Sequence, residues 1–424
     1  MTARVLYVSH NGMLENLGQA QVLPYLRGLV TRGFEFDLLS YELPHVSDDA
    51  IHALRHALRN DGICWHPMRR AKDPRLRVKI KESAWGSWKA LKTALEKRPA
   101  IVHGRSYLPT AVADVVATML PRTRLVFDCR GMLGDEYVDA GYWTEDRLEY
   151  RILKHYERRA FRRAEGVVVL TEKLRNMALD GGWLGRKTHI TSIPCCVDLE
   201  RFQFDPSARR ETRLKLGLSD QLVLVYSGSL GSWYEEPKMA SFAGHLRRRS
   251  QRPVSVLVLT HHDTSELVAL LRGTGFSPRE ILVRKVVPAD MAAHLSAGDL
   301  AMSFIKSCFS KQGSSPTKVA EYLACGLPVV LNGDIGDQSD LAVERDACVV
   351  MPALSEQQLV KAAERALPLA EQPIEERARI GHRVAMQRFG LESVGVPRYE
   401  ALYRQILDLR GADAPTLDSR KVHG

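Results

Sequence analysis

Residues 314–330 read SSPTKVAEYLACGLPVV, and the change of pattern inside this stretch decides the fold. Ser315 is a good N-cap residue, because its hydroxyl can accept from a free first-turn amide. Pro316 then falls at N1, where its missing N–H costs nothing. Gly326 is placed to stop the helix as a C′ residue. Residues 327–331 form a short apolar run of buried-strand length. The stretch therefore predicts a short helix feeding a parallel-type strand. Val319, Tyr322 and Leu323 share one helical face; Thr317, Lys318 and Glu321 share the other. A helix N-terminus attracts anions, phosphates above all. Lys318 adds a full positive charge, and Glu321, one turn in, is placed to accept from a pair of ribose hydroxyls. From this stretch alone, an ordinary capped helix with a solvated polar face stands beside that reading.

Working outward, strands and helices alternate along the chain. Residues 4–9, 34–40, 100–103, 125–128, 166–170 and 190–194 read as strands, with a helix-rich segment between 40 and 98 and Thr171 as an N-cap. Residues 201–220 read as a polar connector. The alternation restarts with strands at 222–227, 254–260, 281–283, 300–304 and 347–351 and closes in a helical tract to about residue 410. Repeated strand–helix units imply parallel sheets covered on both faces. Two in series imply two Rossmann-like domains, whose ligands bind at the carboxyl ends of the strands. The polar candidates follow strands: Asn11, Gly12 and Gly18 after the first, His103 and Arg105 after another, then Asp128 and Arg130 with Glu136 and Asp139 beyond, and Ser229 and Gly231 at the start of the second half. The first glycine-bearing turn is not spaced as GxGxxG, which argues against a dinucleotide.

The 424 residues suit two or three domains. No run reaches the roughly 18 apolar residues of a membrane helix, and the start, MTARVLYVSHNG, lacks a signal-peptide apolar core. Seven cysteines without a CxxC pair are expected to be reduced, mostly buried thiols of a cytoplasmic protein. His261-His262-Asp263 follows an apolar run and is expected to be a loop, not a metal site. Residues 1–190 carry 31 Lys+Arg against 22 Asp+Glu, the remainder 29 against 28. Eleven of the basic residues lie in 69–98, with Trp85 and Trp88 among them. Such asymmetry suggests an anionic partner for the first half: an anionic membrane surface met at the cytoplasmic face fits, as does a solvated helix with Trp85 and Trp88 in a core. No nucleic-acid module appears, and no nucleic-acid partner is expected.

Six segments carry a family resemblance: LYVSHNGMLENLGQAQVLPYL (6–26), FDCRGMLGDEYVDAGYW (127–143), VVVLTEKL (167–174), IPCCVDLERF (193–202), YSGSLGSWY (226–234) and SPTKVAEYLACGLPVV (315–330). With them the chain resembles the retaining glycosyltransferases of family 4, which have the α/β GT-B fold: two Rossmann-like domains facing each other across a cleft, with a C-terminal helix returning to the first. The resemblance implies an acceptor-binding domain over 1–198, a nucleotide-sugar-binding domain over 199–385 and a crossing helix over 386–410, and the composition of 411–424 predicts a disordered tail. It implies a nucleotide diphosphate sugar as co-substrate, a glycan or lipid-linked acceptor, and no metal or other cofactor. Donor contacts are expected from Gly18, Ser229, Gly231, Lys311, Ser315, Thr317, Lys318 and Glu321, the last matching the second glutamate of the family's E-x7-E motif. Acceptor contacts are expected from Asn11, Gly12, Arg105, Glu136 and Asp139.

Three departures from the family pattern stand out. The first glutamate of E-x7-E is Gly313. The Arg/Lys phosphate pair is absent, with Ser229 and Tyr234 at roughly those places, so Lys306, Lys311 or Lys318 must supply the charge. Arg130-Gly131 replaces a histidine-glycine pair, and His103 and Arg105 match a His-x-His with the second member changed. A retaining enzyme of this fold is expected to work by positioning and by stabilising the leaving diphosphate. Arg130 suits the latter, with Asp128 orienting it or the acceptor and His103 beside them; a structural ion pair of Asp128 and Arg130 fits equally. A nucleotide-sugar epimerase of GT-B fold and a non-catalytic GT-B binding protein are the competing readings.

Overall fold

Parallel neighbours require crossovers, and crossover helices cover both faces of a sheet. The computed structural model, which describes residues 3–70 and 76–407, has two such sheets. The first contains β1 (Ala3–Ser9), β2 (Phe34–Glu42), β3 (Ile63–Arg69), β4 (Ile101–Arg105), β5 (Arg124–Asp128), β6 (Gly166–Val169) and β7 (His189–Ser192), ordered β3-β2-β1-β4-β5-β6-β7. The second contains β8 (Leu222–Ser227), β9 (Val254–Leu259), β10 (Ile281–Arg284), β11 (Leu300–Ser303), β12 (Val329–Asn332) and β13 (Cys348–Met351), ordered β10-β9-β8-β11-β12-β13. Strand order reverses between β1 and β4 and again between β8 and β11. At such points the loops part and leave a crevice.

Burial on both faces explains why the strands read as unbroken apolar runs. In the first sheet Val5, Phe36 and Val126 belong to one apolar layer, and Leu6, Leu39 and Phe127 to the other. In the second, Leu224 and Val256 are separated in the same way from Val225 and Leu257. This is a two-domain α/β architecture of GT-B type.

Two segments correct the sequence reading. The helix-rich stretch before residue 98 contains β3, whose Pro67 and His66 obscure its pattern. β3 is an edge strand, where proline removes no ladder bond that matters. The connector at 201–220 contains the helix Pro206–Leu216, capped by Asp205, whose carboxylate accepts from the amides of Ser207 and Ala208, and ended by Gly217 in the left-handed region. The stretch expected as one crossing helix over 386–410 is divided between two helices. The helix Ile374–Phe389 packs in the second domain, the chain crosses at Gly390, and the helix Val396–Ile406 packs on β6, β7 and the helix Leu23–Thr31 of the first. The tail at 411–424 lies outside the described residues. Among the described residues no helix is long and apolar enough to cross a membrane.

The second domain is tied together by one buried carboxylate. Asp299 Oδ1 accepts from Arg209 at 2.7 Å and Arg377 at 3.3 Å, and Oδ2 accepts from Arg213 at 3.2 Å and the Val223 amide at 2.9 Å. Burial pushes its pKa up, but the three guanidinium groups outweigh it and hold the carboxyl below its usual range. Removing the anion strands three cations. We predict that Asp299→Ala destabilises the second domain by about 3–5 kcal/mol, read as a shift of its urea transition; a loss below about 1 kcal/mol would contradict this account.

Candidate active site in the interdomain cleft

The carboxyl ends of both sheets face one cleft. A cavity of about 360 Å³ lies between the domains, lined by Asn11, Arg105 and Arg130 on one side and Trp233, Lys311, Ser315 and Thr317 on the other. A second, of about 300 Å³, is lined by Gly228, Ser229, Thr260, His261, Val286 and Glu321, with Asn16 and Ala20 from the first domain.

The helix Thr317–Ala324 sits at the junction of these spaces. No side chain caps its N-terminus; Pro316 holds the cap position with extended backbone. Ser315 therefore is not the N-cap. Its hydroxyl instead accepts from the Cys195 amide at 3.0 Å, across the domain boundary. Lys318 is not on a solvated face either. It is buried, its Nζ donating to Tyr226 Oη at 3.1 Å and lying 4.2 Å from the ring centroids of both Tyr226 and Tyr234. Gly228, with φ +115°, lets the loop after β8 close over it: a Cβ there would stand 3.0 Å from Nζ. Among the described residues no carboxylate forms a salt bridge with Lys318. Burial lowers its pKa to about 7. Burial likewise raises the Glu321 carboxyl to about 7, against the opposing charges of Arg201 and Lys318.

On the opposite wall, Arg130 points into the cleft, with Nη1 3.5 Å from Asp128 Oδ1 and Nη2 3.4 Å from Cys195 Sγ. Asp128 and His103 do not reach the cleft. Both are fully buried, so direct contact with a substrate is closed to them. His103 Nε2 lies 3.5 Å from Asp128 Oδ2, its Nδ1 is 2.7 Å from Tyr403 Oη, and its ring stacks on Tyr7. Tyr399 Oη donates to Asp128 Oδ2 at 3.1 Å. Burial pushes Asp128 up but is outweighed by Arg130 and His103, which keep it ionised; burial keeps His103 neutral against Asp128. This buried group is a support behind Arg130.

The other candidates divide. Asn11 and Arg105 line the larger cavity, joined by a 3.3 Å hydrogen bond. Gly12 lies in a turn clamped by the buried Glu42, which accepts from the amides of Met13 and Leu14. Gly18 packs beneath that turn: a Cβ on it would stand 2.2 Å from the Gly12 carbonyl oxygen. Its glycine serves close packing, off the cavity walls. Ser229 faces the smaller cavity, whereas Gly231, at φ +100°, shapes the turn and donates to Glu236. Glu136 and Asp139 line neither of the two cavities and bridge the domains. Glu136 pairs with Lys311 at 3.2 Å, and Asp139 accepts from the Ser310 amide at 2.8 Å. Lys311 also stands 3.7 Å over the Trp233 ring. Gly313 lies at the same contact, where a Cβ would meet Leu174 at 3.1 Å and Met132 at 3.3 Å.

Sequence reasoning missed Trp233, Arg201 and Thr260, which line the two cavities, and Tyr226, which holds Lys318. Trp233 and Thr260 follow strands that were recognised; their position past a strand end was the available signal. His261 Nε2 donates to the Val286 carbonyl oxygen at 3.2 Å and forms part of a cavity wall.

Residues 18–196 match the family model of the glycosyl transferase 4-like domain. The matched segment contains Arg105, Arg130 and the first-domain side of the interdomain contacts just described. Over the whole chain, solved structures share the fold at low identity. Anabaena HepE in complex with UDP-glucose matches with TM-score 0.66 and 16% identity over 96% of this chain and 98% of that one. A sucrose-phosphate synthase from Thermosynechococcus elongatus matches with TM-score 0.67 and 15% identity over 96% and 100%. WaaG, a glycosyltransferase involved in lipopolysaccharide biosynthesis, matches with TM-score 0.62 and 15% identity over 94% and 98%. No curated protein matches the sequence.

The paired shifts of Lys318 and Glu321 predict a stability trough near neutral pH. The unfolded lysine keeps its proton up to 10.5 and the folded one loses it near 7, so stability rises with pH over that window. The unfolded glutamate ionises at 4.5 and the folded one near 7, so stability falls across that lower window. Lys318→Met should flatten the alkaline limb and Glu321→Gln the acid limb, measured by urea denaturation at stepped pH; limbs unchanged in both variants would remove the assignment.

Proposed function

We propose that the chain transfers a sugar from a nucleotide diphosphate sugar to an acceptor hydroxyl with retention of configuration. One observation carries the reading: a buried lysine that, among the described residues, has no carboxylate in salt-bridge contact lies beside an uncapped helix N-terminus at the cleft. Both features stabilise a diphosphate. Glu321, in the adjoining cavity, accepts from the ribose hydroxyls. Arg130 faces this wall and stabilises the leaving diphosphate, its orientation set by Asp128. The positive charge comes from Lys318 and Arg130, and no metal is assigned to the transfer. The acceptor, a glycan or lipid-linked glycan of cell-surface polysaccharide or glycolipid synthesis, meets the first domain near Asn11 and Arg105.

The HepE complex with UDP-glucose makes UDP the first nucleotide to test. Thermal-shift binding with UDP, GDP, ADP, CMP and dTDP should single out one diphosphate. Glu321→Ala should abolish that shift; no shift with any nucleotide would overturn the donor site and favour a non-catalytic binding protein. A nucleotide sugar converted to a different free sugar without acceptor would favour the epimerase reading.

Arg130→Ala should lower turnover by about 10²–10³-fold with little change in donor affinity, as loss of one transition-state donor does. Unchanged turnover would remove Arg130 from the mechanism.

The acceptor side extends to a membrane surface. Trp85 and Trp88 on the helix Leu76–Lys97 are 58% and 50% exposed and stack on each other, with Lys92 against Trp88. They are not core residues. Aromatic rings beside basic side chains suit an anionic bilayer interface. The protein should co-sediment with anionic vesicles at low salt, and Trp85→Ala/Trp88→Ala should reduce this several-fold. Failure of the native chain to sediment would refute it.

A further inference from the structure

Away from the cleft, three side chains of different chemistry converge at the outer edge of the first sheet. Cys64 and His66 are two residues apart on β3 and so share a face. Asp37 is the register partner of Cys64 on β2. His66 Nε2 lies 3.0 Å from Asp37 Oδ1 and 3.5 Å from Cys64 Sγ, and all three atoms fall within 4.8 Å of one another. Among the described residues they are the group of three such ligands that meets in this way.

The geometry decides between two chemistries. A relay that activates a thiol places the thiol on one imidazole nitrogen and the carboxylate on the other. Here both partners address the same nitrogen. The arrangement is a point of convergence, as a metal requires. Tetrahedral zinc at bond lengths of about 2.0–2.3 Å sets neighbouring donor atoms about 3.3–3.6 Å apart, close to the observed contacts. We propose that Asp37, Cys64 and His66 bind one zinc ion, with the fourth position left to water.

The donor set is borderline-soft, one thiolate, one imidazole and one carboxylate, which suits zinc over magnesium or calcium. Cys64 is exposed and gives the ion access, while Asp37 is buried and rigid. Arg4 approaches the other carboxylate oxygen, Oδ2, at 4.0 Å and is also engaged by Glu35, so Oδ1 remains for the metal. Binding replaces the thiol proton, which leaves to solvent, and displaces any proton between His66 Nε2 and Asp37; no redox change occurs. The ion would clip the edge strand to β2. Cys64 lies near the amino end of its strand, opposite the carboxyl ends that form the cleft, so the proposal is independent of the transfer reaction.

The test is titration of the reduced, chelator-stripped full chain with Co²⁺ and then Zn²⁺. One Co²⁺ per chain is expected, with tetrahedral d–d bands and a thiolate-to-cobalt charge-transfer band, both lost on adding one equivalent of Zn²⁺. Cys64→Ser should abolish the charge-transfer band and His66→Ala should weaken binding at least tenfold, whereas Cys308→Ser, at another partly exposed thiol, should leave both bands intact. Circular dichroism establishes that each variant folds. Absence of a stoichiometric thiolate band, or its persistence in Cys64→Ser, overturns the site.

Discussion

The two chain crossings between the domains are hydrogen-bonded to each other. The Val197 amide donates to the Phe389 carbonyl at 2.8 Å, and the Leu391 amide donates back to the Val197 carbonyl at 3.0 Å. This short parallel bridge fixes how the sheets meet. Each sheet directs its polar loops to the carboxyl ends of its strands, and the bridge holds those ends towards a common space. It also sends the last helix home. Tyr399 and Tyr403 on that helix reach Asp128 and His103, so the residue that aims Arg130 into the cleft is itself held by a segment some 270 positions later in the chain.

Buried charge is treated in three ways. Asp299 is surrounded by three guanidinium groups and an amide, and serves cohesion. Asp128 has Arg130 near one carboxylate oxygen and Tyr399 and His103 at the other, so its charge is directed to the one guanidinium that faces the cleft. Lys318 has two aromatic faces and a phenol oxygen. Aromatic faces offset only part of the cost of desolvating an ammonium group. On the proposed reading that imbalance marks a binding position, because an arriving anion relieves it.

The parallel sheets and the junction of helix and strand at 314–330 were legible because burial on both faces leaves continuous apolar runs. β3 was not, since His66 and Pro67 interrupt its pattern and only its edge position tolerates them. The helix Pro206–Leu216 was legible in principle: Asp205, Pro206 and Gly217 are cap, first-turn and stop signals, hidden by a charged surface. Arg130, Lys318 and Glu321 were identifiable by their place after strands or in a helical first turn. Residues whose position depends on domain contact were not. Glu136 and Asp139 look like loop carboxylates in sequence, and only the approach of Lys311 and the Ser310 amide shows them as bridges. Ser315 has the composition of a cap, yet the Cys195 amide competes for its hydroxyl.

The departures from the family pattern follow from the same domain contact. A glutamate at 313 would bring its Cβ to 3.1 Å from Leu174 and 3.3 Å from Met132, so those side chains would have to give way by a few tenths of an ångström at this approach of the domains. Glycine permits the approach, and the approach brings the Glu136 carboxylate to Lys311 from the other domain. The missing basic pair has a parallel explanation. Tyr234 and Tyr226 occupy the space near the loop after β8, and the positive charge rises from beneath, on Lys318, through the opening left by Gly228. Charge that would have been carried on a mobile loop is carried on a helix, between two rings that restrict its rotamers. On the proposed reading this exchanges reach for preorganisation: the cation is already in place before the donor enters, and the desolvation that makes it costly in the free protein is what strengthens its attraction for a diphosphate.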